Sequence, residues 1–164
     1  MTDAPNIDDM RDRLWTEIKK QRFGMLGLTG SSQHYQPMTA FAEPEDSALW
    51  FFTRNTTDLA KAVGDGSPAM FIIQAKDQDL QACLGGRLSL DHDRGRIDKY
   101  WGPMVAAWFP EGKDDTRLTL IRMDLSDAAV WLTEGGLIKM AFEIAKANIS
   151  KSEPHLGDQA NLRF

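Results

Sequence analysis

The chain has 164 residues, 42% of them hydrophobic and 26% charged, with a formal net charge of -5. This is ordinary globular composition and enough length for a single domain, 1–164, with a sizeable core. The acidic balance argues against a nucleic-acid partner, because surfaces that grip phosphate backbones are usually basic. No apolar run approaches the ~20 residues a membrane helix needs, so no membrane partner is expected.

In chain order, residues 8–22 read as an amphipathic helix. Met10, Leu14 and Ile18 recur every fourth position beside Trp15, and Asp8 or Asp9 stands where a cap is needed. Phe23–Thr29 reads as a short apolar strand and Tyr35–Ala42 as a second. After the break Glu43-Pro44-Glu45-Asp46, Leu49–Thr53 is a third strand, and the pair suggests a hairpin. Asp58–Val63 is a short helical segment and Ala69–Ile73 a buried strand by its continuous apolarity.

From Leu80 to Asp91 apolar and polar positions alternate, with Gly85-Gly86 in the middle. Glycines inside a strand mark a bend or bulge, the device by which a sheet curls into a barrel. Arg94–Trp108 reads as helix and loop interrupted by Gly102-Pro103. Leu118–Leu125 and Ala128–Leu132 read as two strands joined across Ser126-Asp127. A last helix over 137–149 carries an apolar stripe of Leu137, Met140, Ile144 and Ala147, and 150–164 is a polar tail. Many short strands at hairpin spacing, few helices and no βαβ rhythm suggest an antiparallel α+β barrel.

Several chemistries lack their residues. His34, His92 and His155 are isolated, and Asp91-His92-Asp93 reads more simply as a polar turn than as a metal site. There is no nucleophile elbow, P-loop or dinucleotide fingerprint, and Cys83 lies mid-strand without a local histidine. The lone thiol fits a reducing cytoplasm, and the acidic, polar opening Met1-Thr2-Asp3-Ala4-Pro5 does not look like a secretory signal.

Three constellations remain. Gln36-Pro37-Met38-Thr39 carries a proline inside a strand, which implies either a bulge that aims polar groups at a ligand or an ordinary edge strand. Trp50-Phe51-Phe52-Thr53 runs into Arg54, Thr56, Thr57, Asp58 and Lys61. That is either a hydroxyl-rich phosphate cradle or a core strand followed by a capped helix. Ile97–Trp101 and Trp108–Asp115 gather large aromatics in a segment rich in glycine, proline and charge. Such rings pack in the core, form an interface or stack on a planar ligand.

The order of these blocks, from about Leu14 to Trp131, resembles the general stress protein branch of the pyridoxamine 5'-phosphate oxidase-like split barrels. The most specific parts are Leu49–Thr53, Ile97–Trp101, and Trp108–Asp115 leading into Leu118–Arg122. The resemblance implies a six-stranded antiparallel split barrel with flanking helices, spanning about 23–132. It also implies a homodimer with FMN, in preference to FAD, in clefts at the dimer interface. Carried over by position, Gln36, Met38 and Thr39 would follow the flavin ring edge. Thr53, Arg54, Thr57 and Lys61 would lie towards its phosphate, and Phe52 would also belong to the flavin site. Trp101 and Trp108 stand seven residues apart, on one face if a helix ran unbroken through Gly102-Pro103, and would stack over the ring. Gln36 stands where the family usually has a basic residue. The implied function is a flavin-binding stress protein with weak or unassigned oxidoreductase activity. The alternative is a flavin-free dimeric interaction protein on the same fold. A true pyridoxamine phosphate oxidase fits least, because the C-terminal arginine and histidine set is missing.

Overall fold

In a computed structural model, residues 6–133, 135–154 and 157–164 are described. The first helix, α1, spans Ile7–Gln21. Its cap is Asn6 and neither expected aspartate. The Asn6 carboxamide oxygen accepts the backbone N–H groups of Asp8 and Asp9, leaving those acids free to complement the helix dipole. Met10, Leu14, Trp15 and Ile18 are buried on one face and plug the barrel core.

Eight strands follow: β1 (Phe23–Leu28), β2 (Gln36–Thr39), β3 (Phe41–Glu43), β4 (Ala48–Arg54), β5 (Ser67–Gln74), β6 (Leu80–Asp91), β7 (Leu118–Leu132) and β8 (Asp158–Arg163). They form one sheet in the order β2-β1-β5-β6-β7-β4-β3, with β8 added to β7, and every pairing is antiparallel. β2 and β3 stand at opposite ends of this order, yet only Ala40 separates them in sequence. The sheet must therefore curl until its ends approach, which makes the split barrel.

Three expectations need correction. The strand expected over Tyr35–Ala42 breaks at Ala40, whose N–H turns away to the Arg22 carbonyl at 2.7 Å. The two runs expected on either side of Ser126-Asp127 are one strand. Gly85 pairs with Asp127 and Gly86 with Leu125, so Ser126 is a bulge and not a turn. The tail expected to be simply polar contains β8, which lays Ala160 and Leu162 opposite Val130 and Ala128. The break at Ala40 and the added β8 are why the sheet has eight strands and not six.

Gly86 is dictated by close approach. A Cβ there would lie 2.3 Å from the Asp124 carbonyl oxygen. The bend it permits turns the long β6–β7 ribbon around the core of Leu26, Phe51, Phe71, Leu84, Leu88 and Ile121. On β4, Phe51 points into this core. Its neighbour Trp50 points outward into a second cluster with Phe41, Ile97, Val105, Phe109 and Leu120. Burial on both faces explains the unbroken apolarity of Leu49–Phe52, and each such side chain contributes about 1.5–3 kcal/mol.

The second cluster seats α3 (Arg94–Tyr100) and α4 (Pro103–Ala106) against the barrel wall. Asp93 caps α3, and α3 ends at Tyr100. Gly102, fully extended, separates it from α4, so no helix runs continuously from Trp101 to Trp108. The last helix, α5, spans Gly136–Ser150. Of its expected stripe, Ala147 is buried, Met140 half-buried and Ile144 44% exposed. The Leu137 side chain, like His155 and Leu156, lies outside the described residues. Among the described residues, no helix is long and apolar enough to cross a membrane.

Candidate functional site

A cleft of about 600 Å³ opens where the two ends of the curled sheet meet α4. Phe23 of β1 and Pro37, Met38 and Thr39 of β2 form one wall. Phe41, Phe52, Met104, Val105 and Phe109 form the apolar back, and Trp108 stands at the rim with 68% of its surface exposed. Thr53, Arg54 and Thr57 supply the polar end.

This polar end follows from how β4 stops. The chain leaves β4 at Arg54 and turns through Asn55-Thr56 into α2 (Asp58–Ala62). Thr57 is the cap: its hydroxyl accepts the Ala60 N–H at 3.2 Å and donates to the Arg54 carbonyl at 3.0 Å. The Thr53 and Thr57 hydroxyl oxygens lie 3.2 Å apart. Because the Thr57 proton is engaged, Thr53 is the hydroxyl able to donate, either to Thr57 or to a ligand.

Arg54 is the one cationic side chain among the residues that line the cleft. Its guanidinium donates to the Trp108 carbonyl at 2.7 Å and lies 6.0 Å from the centre of the Phe109 ring. It therefore ties the end of β4 to the α4 wall. Buried Asp115 lies behind this region. Hydrogen bonds from the Arg117 side chain and backbone, aided by the Arg117 and Arg54 charges, hold its carboxyl down at about 2.

Helix α3 is fixed from outside by Glu43 at the end of β3. Burial alone would raise this carboxyl. Hydrogen bonds from Lys99 and the Tyr100 hydroxyl, with the Lys99 and Arg96 charges, outweigh it and leave Glu43 below the usual carboxylate range. Burial first, and the Glu43 contact second, push the Tyr100 phenol well above its ordinary value. Arg96 also reaches Asp46 at 2.8 Å and lies 5.1 Å over the Trp50 ring.

The cleft thus gathers Met38, Thr39, Phe52, Thr53, Arg54, Thr57 and Trp108 from the sequence expectation. Three other positions stand apart. Gln36 pairs with Leu26, at the far end of β2 from the Thr39–Phe23 pair at the cleft. Lys61 is exposed in the last turn of α2 and does not line the cleft. Trp101 is half-buried one layer back, 6.4 Å from Phe52 and 6.3 Å from Phe109 between ring centres. Sequence reasoning did not assign Pro37 and Phe109, though it singled out their segments, and it missed Phe23, Phe41, Met104 and Val105 altogether. These carry no polar chemistry, and their only signal is apolarity beside the Pro37 strand or the Gly102-Pro103 break.

His92 sits with its ring nitrogen 3.5 Å from the Thr119 hydroxyl, while its neighbours Asp91 and Asp93 accept local backbone N–H groups. Among the described residues no cluster of His, Cys, Asp or Glu is arranged to hold a metal ion.

A curled antiparallel barrel with an aromatic cleft at its seam defines the class as a split barrel. The family described as pyridoxamine 5'-phosphate oxidase like matches residues 9–155, and the chain belongs to that family, in its general stress protein branch. A solved candidate general stress protein 26 from Jannaschia sp. CCS1 is 33% identical, with a TM-score of 0.80, covering 96% of this chain and 99% of its own. The general stress FMN/FAD binding protein of Xanthomonas citri is 36% identical over 79% of this chain and 93% of its own, with a TM-score of 0.74. A candidate general stress family protein of Xanthomonas campestris pv. campestris is 36% identical over 82% and 94%, with a TM-score of 0.75. No curated protein matches the chain.

Proposed function

We propose that the cleft binds a flavin, FMN in preference to FAD, in a cytoplasmic homodimer that acts as a weak oxidoreductase or a flavin-responsive stress protein. The observation that carries this reading is the cleft's division into an aromatic slot and a single polar end, in a volume typical of small-molecule sites. The Xanthomonas citri relative, described as FMN/FAD binding, supports it. The residues fit the group. Phe52, Phe109 and Trp108 offer faces for a planar ring, and Thr53 and Arg54 offer one free hydroxyl donor and one guanidinium. One cation with one free hydroxyl suits one phosphate better than two, hence FMN over FAD.

When bound, the flavin supplies the electron-transfer chemistry itself. The chain's part is to bind and orient. Arg54 and the Thr53 hydroxyl hold the anionic end, with Lys61 a more distant positive charge. Met38 and Thr39 border the ring edge, and Trp108 covers the ring and excludes water. Gln36 and Trp101 act at one remove, through β2 and through Phe52 and Phe109. Exposed apolar side chains on α5, Ile138 at 88%, Phe142 at 65% and Ile149 at 86%, also suit a flavin-free dimeric interaction protein. The visible spectrum of the purified protein, followed by titration with FMN, separates the two. Flavin bands, or saturable FMN binding, support the first reading. A colourless protein that ignores added FMN overturns it in favour of the second.

A further inference from the structure

Arg22 stands where a helix ordinarily ends in glycine. It closes α1 with a φ of 63° and a ψ of -26°, in the left-handed region, and its N–H bonds back to the Ile18 carbonyl. An arginine is strained in that conformation and a glycine is not. The helix has no need of its charge, because Lys19 and Lys20 already serve the last turn. The position is pinned by the Ala40 N–H, which donates to the Arg22 carbonyl at 2.7 Å where β2 gives way to β3. The side chain lies at this seam of the sheet, its guanidinium 5.4 Å from the centre of the Phe41 ring.

Phe41 lines the cleft, and so does Phe23, the residue after Arg22. With Pro37 they form the end of the cleft that the flavin reading leaves unused. This end is remote from Arg54. Phe41 pairs with Trp50, four residues before Arg54 on β4, which is about 13 Å at ~3.3 Å per residue. Between the two guanidiniums lie the rings of Phe41, Phe52 and Phe109, 5.6 Å and then 6.4 Å from centre to centre. Arg22 is exposed, and among the described residues its side chain has neither a hydrogen bond nor an ion pair. Glu43, two residues beyond Phe41, is already held by Arg96, Lys99 and Tyr100. An unpaired arginine on open surface would mean little. This one rests on a cleft residue, from a backbone position that costs strain to keep.

We propose that Arg22 holds the carboxylate of a small aromatic acid, whose ring lies on Phe23 and Phe41 and shares the cleft with the flavin. The chemistry of this end selects that class. A guanidinium is a planar fork of donors that matches a carboxylate. Phe23, Pro37 and Phe41 surround it with apolar surface, which favours an aromatic body over a bare ion. The acid would lie beside the ring edge that Met38 and Thr39 border, since Thr39 pairs with Phe23. Arg54 is too far along β4 to serve the same anion, so the two cations hold the two ligands separately.

As a substrate class this rests on the flavin reading above, but the site is measured with and without flavin. The experiment is calorimetric titration of the protein with benzoate and with benzamide, its neutral counterpart, each in the presence and absence of FMN. Wild type should bind benzoate tenfold or more tightly than benzamide, as one charge-assisted pair requires. Arg22→Gly should lose that preference, keep its affinity for FMN and melt no lower than wild type, because glycine relieves the left-handed position. Arg22→Gln, which keeps that backbone strain, should lose the preference too, and Arg22→Lys should keep part of it. Equal binding of the two ligands, no saturable binding of benzoate, or a preference that survives Arg22→Gly and Arg22→Gln would overturn the proposal. So would a fall in FMN affinity in Arg22→Gly as large as its fall for benzoate, which would assign the cation to the flavin. A protein that ignores FMN yet shows the Arg22-dependent preference would sink the flavin reading and leave the acid site standing.

Discussion

Arg54→Ala is the sharpest test of how the cleft holds an anion. In the structure the guanidinium makes one hydrogen bond, 2.7 Å to the Trp108 carbonyl, and lies 6.0 Å from the Phe109 ring centre. An exposed neutral acceptor of this kind is worth about 0.5–1.5 kcal/mol, so the apo protein should lose only a few degrees in Tm. The bond to a flavin phosphate would be charge-assisted on both sides and worth about 1.5–3 kcal/mol. Since ~1.4 kcal/mol is tenfold in affinity, FMN should bind roughly 10- to 150-fold more weakly. Lys61→Ala, outside the cleft lining, should change affinity by only about twofold, as expected of a screened surface charge. Riboflavin, which lacks the phosphate, should bind wild type and Arg54→Ala alike. The assay is titration followed by flavin fluorescence at fixed ionic strength. If Arg54→Ala binds FMN as wild type does, the phosphate does not lie at the β4 end. A larger loss in Lys61→Ala than in Arg54→Ala would place it on the outer side of α2.

How much of this was readable beforehand depended on whether a position carried a local signal. The helix over α1 and the alternation of β6 were legible because burial imposes a period, and Gly85-Gly86 was legible because only a small residue fits the bend. β8 was not, because Asp158–Arg163 turns just two apolar residues inward and borrows its order from β7. Ser126-Asp127 has the composition of a turn, and only the partner strand's glycines make it a bulge. The same division runs through the cleft. Thr53, Arg54 and Thr57 announced themselves as a polar loop after an aromatic strand. Phe23 and Met104 reach the cleft through sheet closure and the placement of α4, neither of which is a property of their neighbours in sequence. Trp101 and Trp108 look equivalent in sequence, yet the extended Gly102 sends one inward and leaves the other at the rim.

Trp108→Leu should brighten bound FMN severalfold if the exposed indole stacks on the ring, and unchanged fluorescence in a folded variant would confine Trp108 to a wall. Asp115 has its folded carboxyl lowered to about 2 against about 3.9 for an unfolded chain, so its contribution is full above that higher value and is lost as pH falls through about 2. Wild type should therefore melt above Asp115→Asn at pH 7, with the gap closing in acid, and a gap independent of pH would assign the effect to packing. The glycine pair gives the cleanest contrast in the fold. A Cβ on Gly85 would meet the Asp127 carboxylate oxygen at 2.6 Å, the far end of a side chain that can swing away. A Cβ on Gly86 would meet the Asp124 carbonyl oxygen at 2.3 Å and the Leu125 Cα at 3.2 Å, both backbone. Neither glycine has a positive φ, so conformational preference does not separate them and only sterics remain. Relieving the Gly86 clash means pushing β7 away from β6 at the bulge that turns the barrel, an overpacking cost of about 3 kcal/mol or more. At ~2–4 °C per kcal/mol for a chain of this size, Gly86→Ala should lower Tm by roughly 6–12 °C and Gly85→Ala by only about 2 °C. Equal losses at the two sites would mean that the bend is set by the Ser126 bulge, and that the close approach at Gly86 follows from it.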